Sequence, residues 1–143
     1  MVDMIKSWPL SKSEVINLLE LHGIIPTQQR VEIAQVLFAR PQHLAAEQVL
    51  SQVNQQENVA SKATVYNTLG LFANKGLIRE VIVDPTRIFY DPNTNPHHHF
   101  YNIDTGSLMD IKDEQVTIAN FPNPPEGTIT EAVDVIVRVR NCA

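Results

Sequence analysis

The hydrophobic period of this chain changes near residue 77. Apolar residues recur at helical spacing up to Gly76 and at strand spacing after it. "SKSEVINLLELHG" opens with Ser11 and Glu14 at the spacing of a capping box, carries Val15, Leu18 and Leu19 on one face and ends at Gly23. "TQQRVEIAQVLFARP" starts at Thr27, places Val31, Ala34, Leu37 and Phe38 on one stripe, and stops before Pro41. "AAEQVLSQVNQQ" repeats the pattern with Val49, Leu50 and Val53, and Glu47 lies near its positive N-terminal end. "SKATVYNTLGLFANKG" turns Val65, Leu69 and Phe72 inward and stops at Gly76. Then "LIREVIVDPTRIFYD" joins two β-rich runs, 77–83 and 87–90, through an Asp-Pro-Thr turn. Helices closed by a β-hairpin describe a winged helix, in which the last helix enters the major groove and the hairpin flanks it.

A nucleic-acid partner has to be reconciled with a net charge of −5. The charge is unevenly placed: residues 1–90 carry eight Lys/Arg and eight Asp/Glu, whereas residues 91–143 carry three against eight, which accounts for the whole imbalance. A neutral half can still present a local basic face, and an acidic half suits cations. The boundary is therefore set at residue 90, giving a DNA-binding domain over 1–90 and a second domain over 91–143. The single cysteine, Cys142, excludes an intrachain disulfide and a Cys-x-x-Cys zinc clasp. "MVDMIKSWPLSK" lacks the apolar core of a signal peptide, and no run approaches the ~18 apolar residues of a membrane span. The expectation is a cytoplasmic protein with no membrane partner.

On the last helix of the first half, Lys62 and Tyr66 are four residues apart and share a face, with Asn67 beside them. Lysine neutralises phosphate, tyrosine meets a thymine methyl or a phosphate, and asparagine pairs with the N6/N7 edge of adenine. The same pattern also fits a solvated helix face.

In the second half, 100–102 and 107–111 flank "IDTG", a hairpin turn; "KDEQVTIANF" reads as a short helix before "PNPPEG"; and "AVDVIVRVR" reads as a strand with Val133, Val135, Val137 and Val139 on one side. Three strands and one helix enclose little core alone, so pairing with a second copy, a homodimer, supplies the missing burial. "NPHHHFY" places three of the chain's five histidines in a row. On a strand His97 and His99 converge while His98 turns away. Two imidazoles and an added carboxylate make an N/O set suited to Fe2+, Mn2+ or Zn2+.

The segments "TQQR", "HLAAEQV", "ATVYNTL" and "HHHFYNIDTG", in that order and spacing, resemble the ferric uptake regulator family over nearly the whole chain. "IFYDPNTNPHHHFYNIDTG" and "PPEGTITEAVDVIVRVR" look closest to its iron response regulator branch. The resemblance implies an α+β chain, a winged-helix DNA-binding domain followed by a small α/β dimerisation domain. It further implies a dimeric, metal-responsive regulator of A·T-rich inverted repeats in double-stranded DNA. The DNA-contacting set becomes Arg30, Ser61, Lys62, Thr64, Tyr66 and Asn67. The metal set matching the family's regulatory site is His43, Asp91, His97, His99 and Asp110, with spacings that resemble the peroxide-responsive branch.

The departures are informative. Relatives with structural zinc carry two Cys-x-x-Cys pairs, and the corresponding positions here are Asn102 and Thr105 with no later pair, so no structural four-cysteine zinc is expected. The haem-regulatory Cys-Pro of some iron response regulators is also missing, so haem would have to use His97, His98 or His99, and His98 is the one free of the metal site. Two alternatives stand beside a regulator: a non-haem metalloenzyme built on the same histidines and carboxylates, and a haem- or metal-binding protein without DNA binding.

Overall fold

The computed structural model describes residues 7–143, and the N-terminal stretch read above as lacking a leader lies largely outside them. The chain divides into two compact units, Met1–Asn95 and Pro96–Ala143. The division falls five residues after the boundary drawn from charge, because Asp91 ends a strand of the first unit and the next four residues stay with it.

In the first unit α1 (Lys12–Leu21) begins at Ser11, whose hydroxyl accepts from the Glu14 amide at 3.2 Å while the Ser11 amide donates to Glu14 at 2.8 Å. Those Ser11 bonds, the backbone one foremost, hold the Glu14 carboxyl below its usual range. Helix α2 (Gln28–Leu37) is capped by Thr27, α3 (Ala46–Val53) follows a two-residue strand β1 (Leu44–Ala45), and α4 (Lys62–Asn74) is capped by Ser61. Gly76 has φ +76, a left-handed conformation that glycine adopts without strain, and it ends α4 as expected. Strands β2 (Arg79–Asp84) and β3 (Arg87–Asp91) form the hairpin, with the Asp84 carboxylate accepting from the Thr86 amide and hydroxyl, both at 2.8 Å. The sheet order is β1-β3-β2, antiparallel throughout.

One core holds this unit together. The stripes of all four helices, from Val15 and Leu19 through Leu37, Phe38 and Val49 to Val65, Leu69 and Phe72, are buried together with Leu77, Ile78 and Tyr90. β1 has no periodic signal of its own; it exists because Leu44 and Ala45 pair with Tyr90 and Phe89 of β3.

The second unit is a three-stranded sheet of order β5-β4-β6, made of β4 (His97–Asn102), β5 (Leu108–Lys112) and β6 (Ile136–Val139). β4 is antiparallel to β5 and parallel to β6. Two expectations fail here. The helix expected over 112–121 is only a single 3-10 turn, Asp113–Gln115. The β-branched run Val116, Thr117, Ile118 and the prolines at 122, 124 and 125 oppose further helix. The last strand is also shorter than expected, with Val133 and Val135 lying before it. Among the described residues, the buried hydrophobic side chains of this unit are Tyr101 and Ile111, while Phe100, Ile103, Met109, Ile118, Phe121, Ile129 and Val137 are exposed. Phe100 is the register partner of both Met109 and Val137, so these three form an apolar row across all three strands.

Candidate metal centre

Each unit carries its own group of metal-type ligands. In the first, the register Leu44↔Tyr90 continued by one residue sets His43 opposite Asp91. The His43 Nε2 lies 3.2 Å from Asp91 Oδ2. The other carboxylate oxygen, Oδ1, accepts from the Asn93 amide at 2.9 Å, an Asx-type turn that fixes the aspartate's orientation. Asp91 is buried and His43 half-buried. The unpredicted strand β1 is thus what brings His43 to Asp91. Tyr90, the residue before Asp91, is also buried; burial first, then the Glu80 carboxylate across the ladder, then Tyr66 of α4, push its phenol above its usual pKa.

In the second unit the alternation of β4 sorts the three histidines. His99 is the cross-strand partner of Asp110, and His97 stands two residues away on the same face. The Nε2 atoms of His97 and His99 lie 3.5 and 3.3 Å from Asp110 Oδ1, and their rings meet edge to face at 4.5 Å between centroids. Both imidazoles are buried, His99 fully, while Asp110 is exposed.

The donor sets fit a first-row divalent cation. Bonds of about 2.1 Å separate neighbouring donor atoms by roughly 3.0 Å at octahedral angles and roughly 3.4 Å at tetrahedral ones. The His43–Asp91 and His99–Asp110 separations of 3.2 and 3.3 Å fall in that range, and His97–Asp110 at 3.5 Å lies just above it. Imidazole and carboxylate together suit Fe2+, Mn2+ or Zn2+ better than Ca2+ or a thiolate-seeking ion.

His98 corrects the expectation that it is free for an outside ligand. It is buried on the opposite face, its Nδ1 accepts from the Val135 amide at 3.0 Å, and its Nε2 lies 3.0 Å from Asp113 Oδ1. An accepting Nδ1 places the proton on Nε2, so Nε2 donates to Asp113 and both ring nitrogens are used. One imidazole therefore ties down both ends of the long connection between β5 and β6. Sequence spacing gave no sign of it, because Asp113 and Val135 lie far along the chain from His98.

The residues expected to meet DNA lie on α4 and α2. Ser61, Lys62, Tyr66 and Asn67 are exposed, with the Lys62 ammonium 5.7 Å from the centre of the Tyr66 ring. Ser61 and Thr64 are occupied with each other as the helix cap: the Thr64 amide donates to Ser61 Oγ at 3.2 Å, and that hydroxyl donates to Thr64 Oγ1 at 3.0 Å. Arg30 donates to the Ile25 carbonyl at 3.0 Å, which steadies the turn before α2.

With this geometry in view, the model of the ferric uptake regulator family matches residues 22–121. The chain belongs to the ferric uptake regulator family. It is 28% identical over 103 residues to the peroxide-responsive repressor PerR of Staphylococcus aureus, covering 72% of this chain and 70% of that repressor. The ferric uptake regulator from Pseudomonas aeruginosa with manganese superposes with a TM-score of 0.65 at 24% identity, over 87% of this chain and 96% of that one. The one from Francisella tularensis with iron does so with a TM-score of 0.69 at 23% identity, over 83% and 92%. These likenesses establish a ferric uptake regulator fold, helical first and α/β second. The family consists of regulators rather than enzymes, so the metalloenzyme reading of the histidine and aspartate residues is set aside.

The two histidine faces make opposite predictions. His99→Ala should weaken Mn2+ or Zn2+ binding in a chelator competition by at least the roughly 10- to 100-fold that loss of a ligand's outer-shell partner costs. His98→Ala should leave that affinity within about threefold while amide exchange at Val135 accelerates. The reverse pattern would exchange the roles of the two faces.

Proposed function

We propose that the chain is a homodimeric, metal-responsive transcription factor in which His43 and Asp91 of the first unit and His97, His99 and Asp110 of the second are ligands of one divalent cation. The observation that carries this reading is that both groups are incomplete in complementary ways. The first offers one imidazole and one carboxylate, the second two imidazoles and one carboxylate, whereas Fe2+, Mn2+ and Zn2+ take four to six donors. The cation supplies the bonds that hold the two groups to one centre. His43 and Asp91 are rigidly placed by the β1–β3 ladder, and His97 and His99 by the β4–β5 ladder, so sharing the centre fixes the angle between the units. Two recognition helices in a dimer bind well only when their separation matches the half-site spacing. Metal occupancy thereby shifts the population of the DNA-competent geometry.

α4 is the recognition helix in this reading. Tyr66 and Asn67 suit thymine and adenine, which favours an A·T-rich inverted repeat, and Lys62 neutralises phosphate. The dimer forms through the second unit, whose apolar row Phe100, Met109 and Val137 is left exposed by its own chain. The manganese and iron of the related solved structures and the chain's donor set support a first-row cation. We further place the chain beside the iron response regulators on the segments quoted above. Haem is a weaker effector in this reading, since His98 is occupied and only the metal-facing His97 and His99 remain to compete for it.

Two measurements test this function. In fluorescence-anisotropy titrations with metal-loaded protein, Tyr66→Ala should cost roughly 1–3 kcal/mol on the selected A·T-rich duplex and little on random DNA, whereas Lys62→Ala should weaken both alike. Equal losses on both duplexes for Tyr66→Ala would remove its base-reading role. In sedimentation equilibrium, Phe100→Glu should destabilise the dimer by about 2 kcal/mol or more, and an unchanged dimer would place the interface elsewhere.

A further inference from the structure

The connection between α3 and α4 ends in two residues whose peptide groups are held entirely by side chains. Asn54 is the C-cap of α3. Its Oδ1 accepts from the Val59 amide at 2.8 Å and from the Ala60 amide at 3.0 Å, and its Nδ2 donates to the Ala60 carbonyl at 2.8 Å. Gln29, in the first turn of α2, donates from Nε2 to the Val59 carbonyl at 3.0 Å. The N–H and C=O groups of both residues are thus met by two side chains from two other helices. The partners also fix the orientation of the Asn54 amide, because its oxygen must face the two N–H donors and its nitrogen the carbonyl. Ser61, the N-cap of α4, follows immediately.

We infer that Asn54, assisted by Gln29, is a positioning residue for DNA recognition that sets where the first turns of α4 lie relative to α2 and α3. The inference rests on the reading of α4 as the recognition helix. Lys62 and Tyr66 lie within the first two turns after this clasp, so a shift at residues 59–60 is carried directly to them. Base contacts tolerate displacement poorly, whereas phosphate contacts through a long lysine tolerate it well. Val65, Leu69 and Phe72 bury the inner face of α4, and Ala60 and Val59 of the clasp also pack on that core, so apolar burial holds the fold when the clasp's hydrogen bonds are removed. Asn54 therefore governs discrimination between duplexes more than overall stability.

The test uses the full chain loaded with Mn2+ and a duplex selected by the wild type from a random pool, with a scrambled duplex as control. Asn54→Leu keeps the approximate volume and removes all three bonds; Asn54→Asp keeps an acceptor for both amides; Gln29→Leu removes the surface bond alone. Asn54→Leu is expected to lose about tenfold in affinity for the selected duplex, the scale set by a recognition helix that spends most of its time off register. Binding to the scrambled duplex should stay within about twofold, and amide exchange at Val59 and Ala60 should accelerate in the free protein. Asn54→Asp should recover most of the lost discrimination, and Gln29→Leu should show a smaller loss. Wild-type discrimination in Asn54→Leu, or in Gln29→Leu should Asn54→Leu not fold, overturns the inference. So does an Asn54→Asp variant as impaired as Asn54→Leu with its two amides still protected. Failure of the wild type to select any duplex refutes instead the assignment of α4, and the positioning role falls with it.

Discussion

The period-two alternation of β4 is the constraint on which the second half of the molecule depends. A strand cannot turn three consecutive side chains to one side. His97 and His99 therefore face Asp110, and His98 takes the other face, where it joins Asp113 to Val135. The same backbone that presents two metal-type ligands thereby anchors the ends of a connection that has almost no regular structure of its own. A one-residue register slip would move His98 into the ligand face and release both anchors, so the three histidines also specify the register.

The first unit solves its problem by different means. Its four helices are specified locally, by Ser11, Thr27 and Ser61 at three of their starts, by Gln48 accepting from the Ala45 amide at the fourth, and by Gly23 and Gly76 beyond two of their ends, and are then fused by one core. Its candidate ligand pair, His43 and Asp91, depends on a two-residue strand that only tertiary pairing creates. Burying Asp91 is tolerable because its two oxygens have separate partners, the Asn93 amide and the His43 ring. Tyr90, next to Asp91 in β3, is sensitive to Tyr66 of α4, so this pair and α4 share a neighbour.

Legibility in the sequence followed the range of the interaction. Caps, apolar stripes and strand alternation act over a few residues, and the first four helices, the hairpin of the first unit and the convergence of His97 with His99 can all be read from them. β1 could not, because its only reason to be extended is β3, some 45 residues on. Nor could the lack of a helix after Lys112, where acidic and amide residues suggested a first turn that Val116, Thr117 and Ile118 do not continue. The role of His98 is hidden for the same reason, since its partners come from the end of β5 and from the approach to β6. The Asn54 clasp is not legible in the sequence because asparagine at a helix end looks like an ordinary cap.

In the proposed regulator, ligands from both units meet at one cation. Pulsed electron paramagnetic resonance of the Mn2+-loaded protein, with histidine labelled by 15N, counts the imidazoles bound. Three coupled imidazole nitrogens in the wild type, falling to two in His43→Ala with the fold intact, is the predicted result. Two in both proteins would mean that His97 and His99 bind the cation without the first unit, and that metal occupancy does not set the angle between the halves.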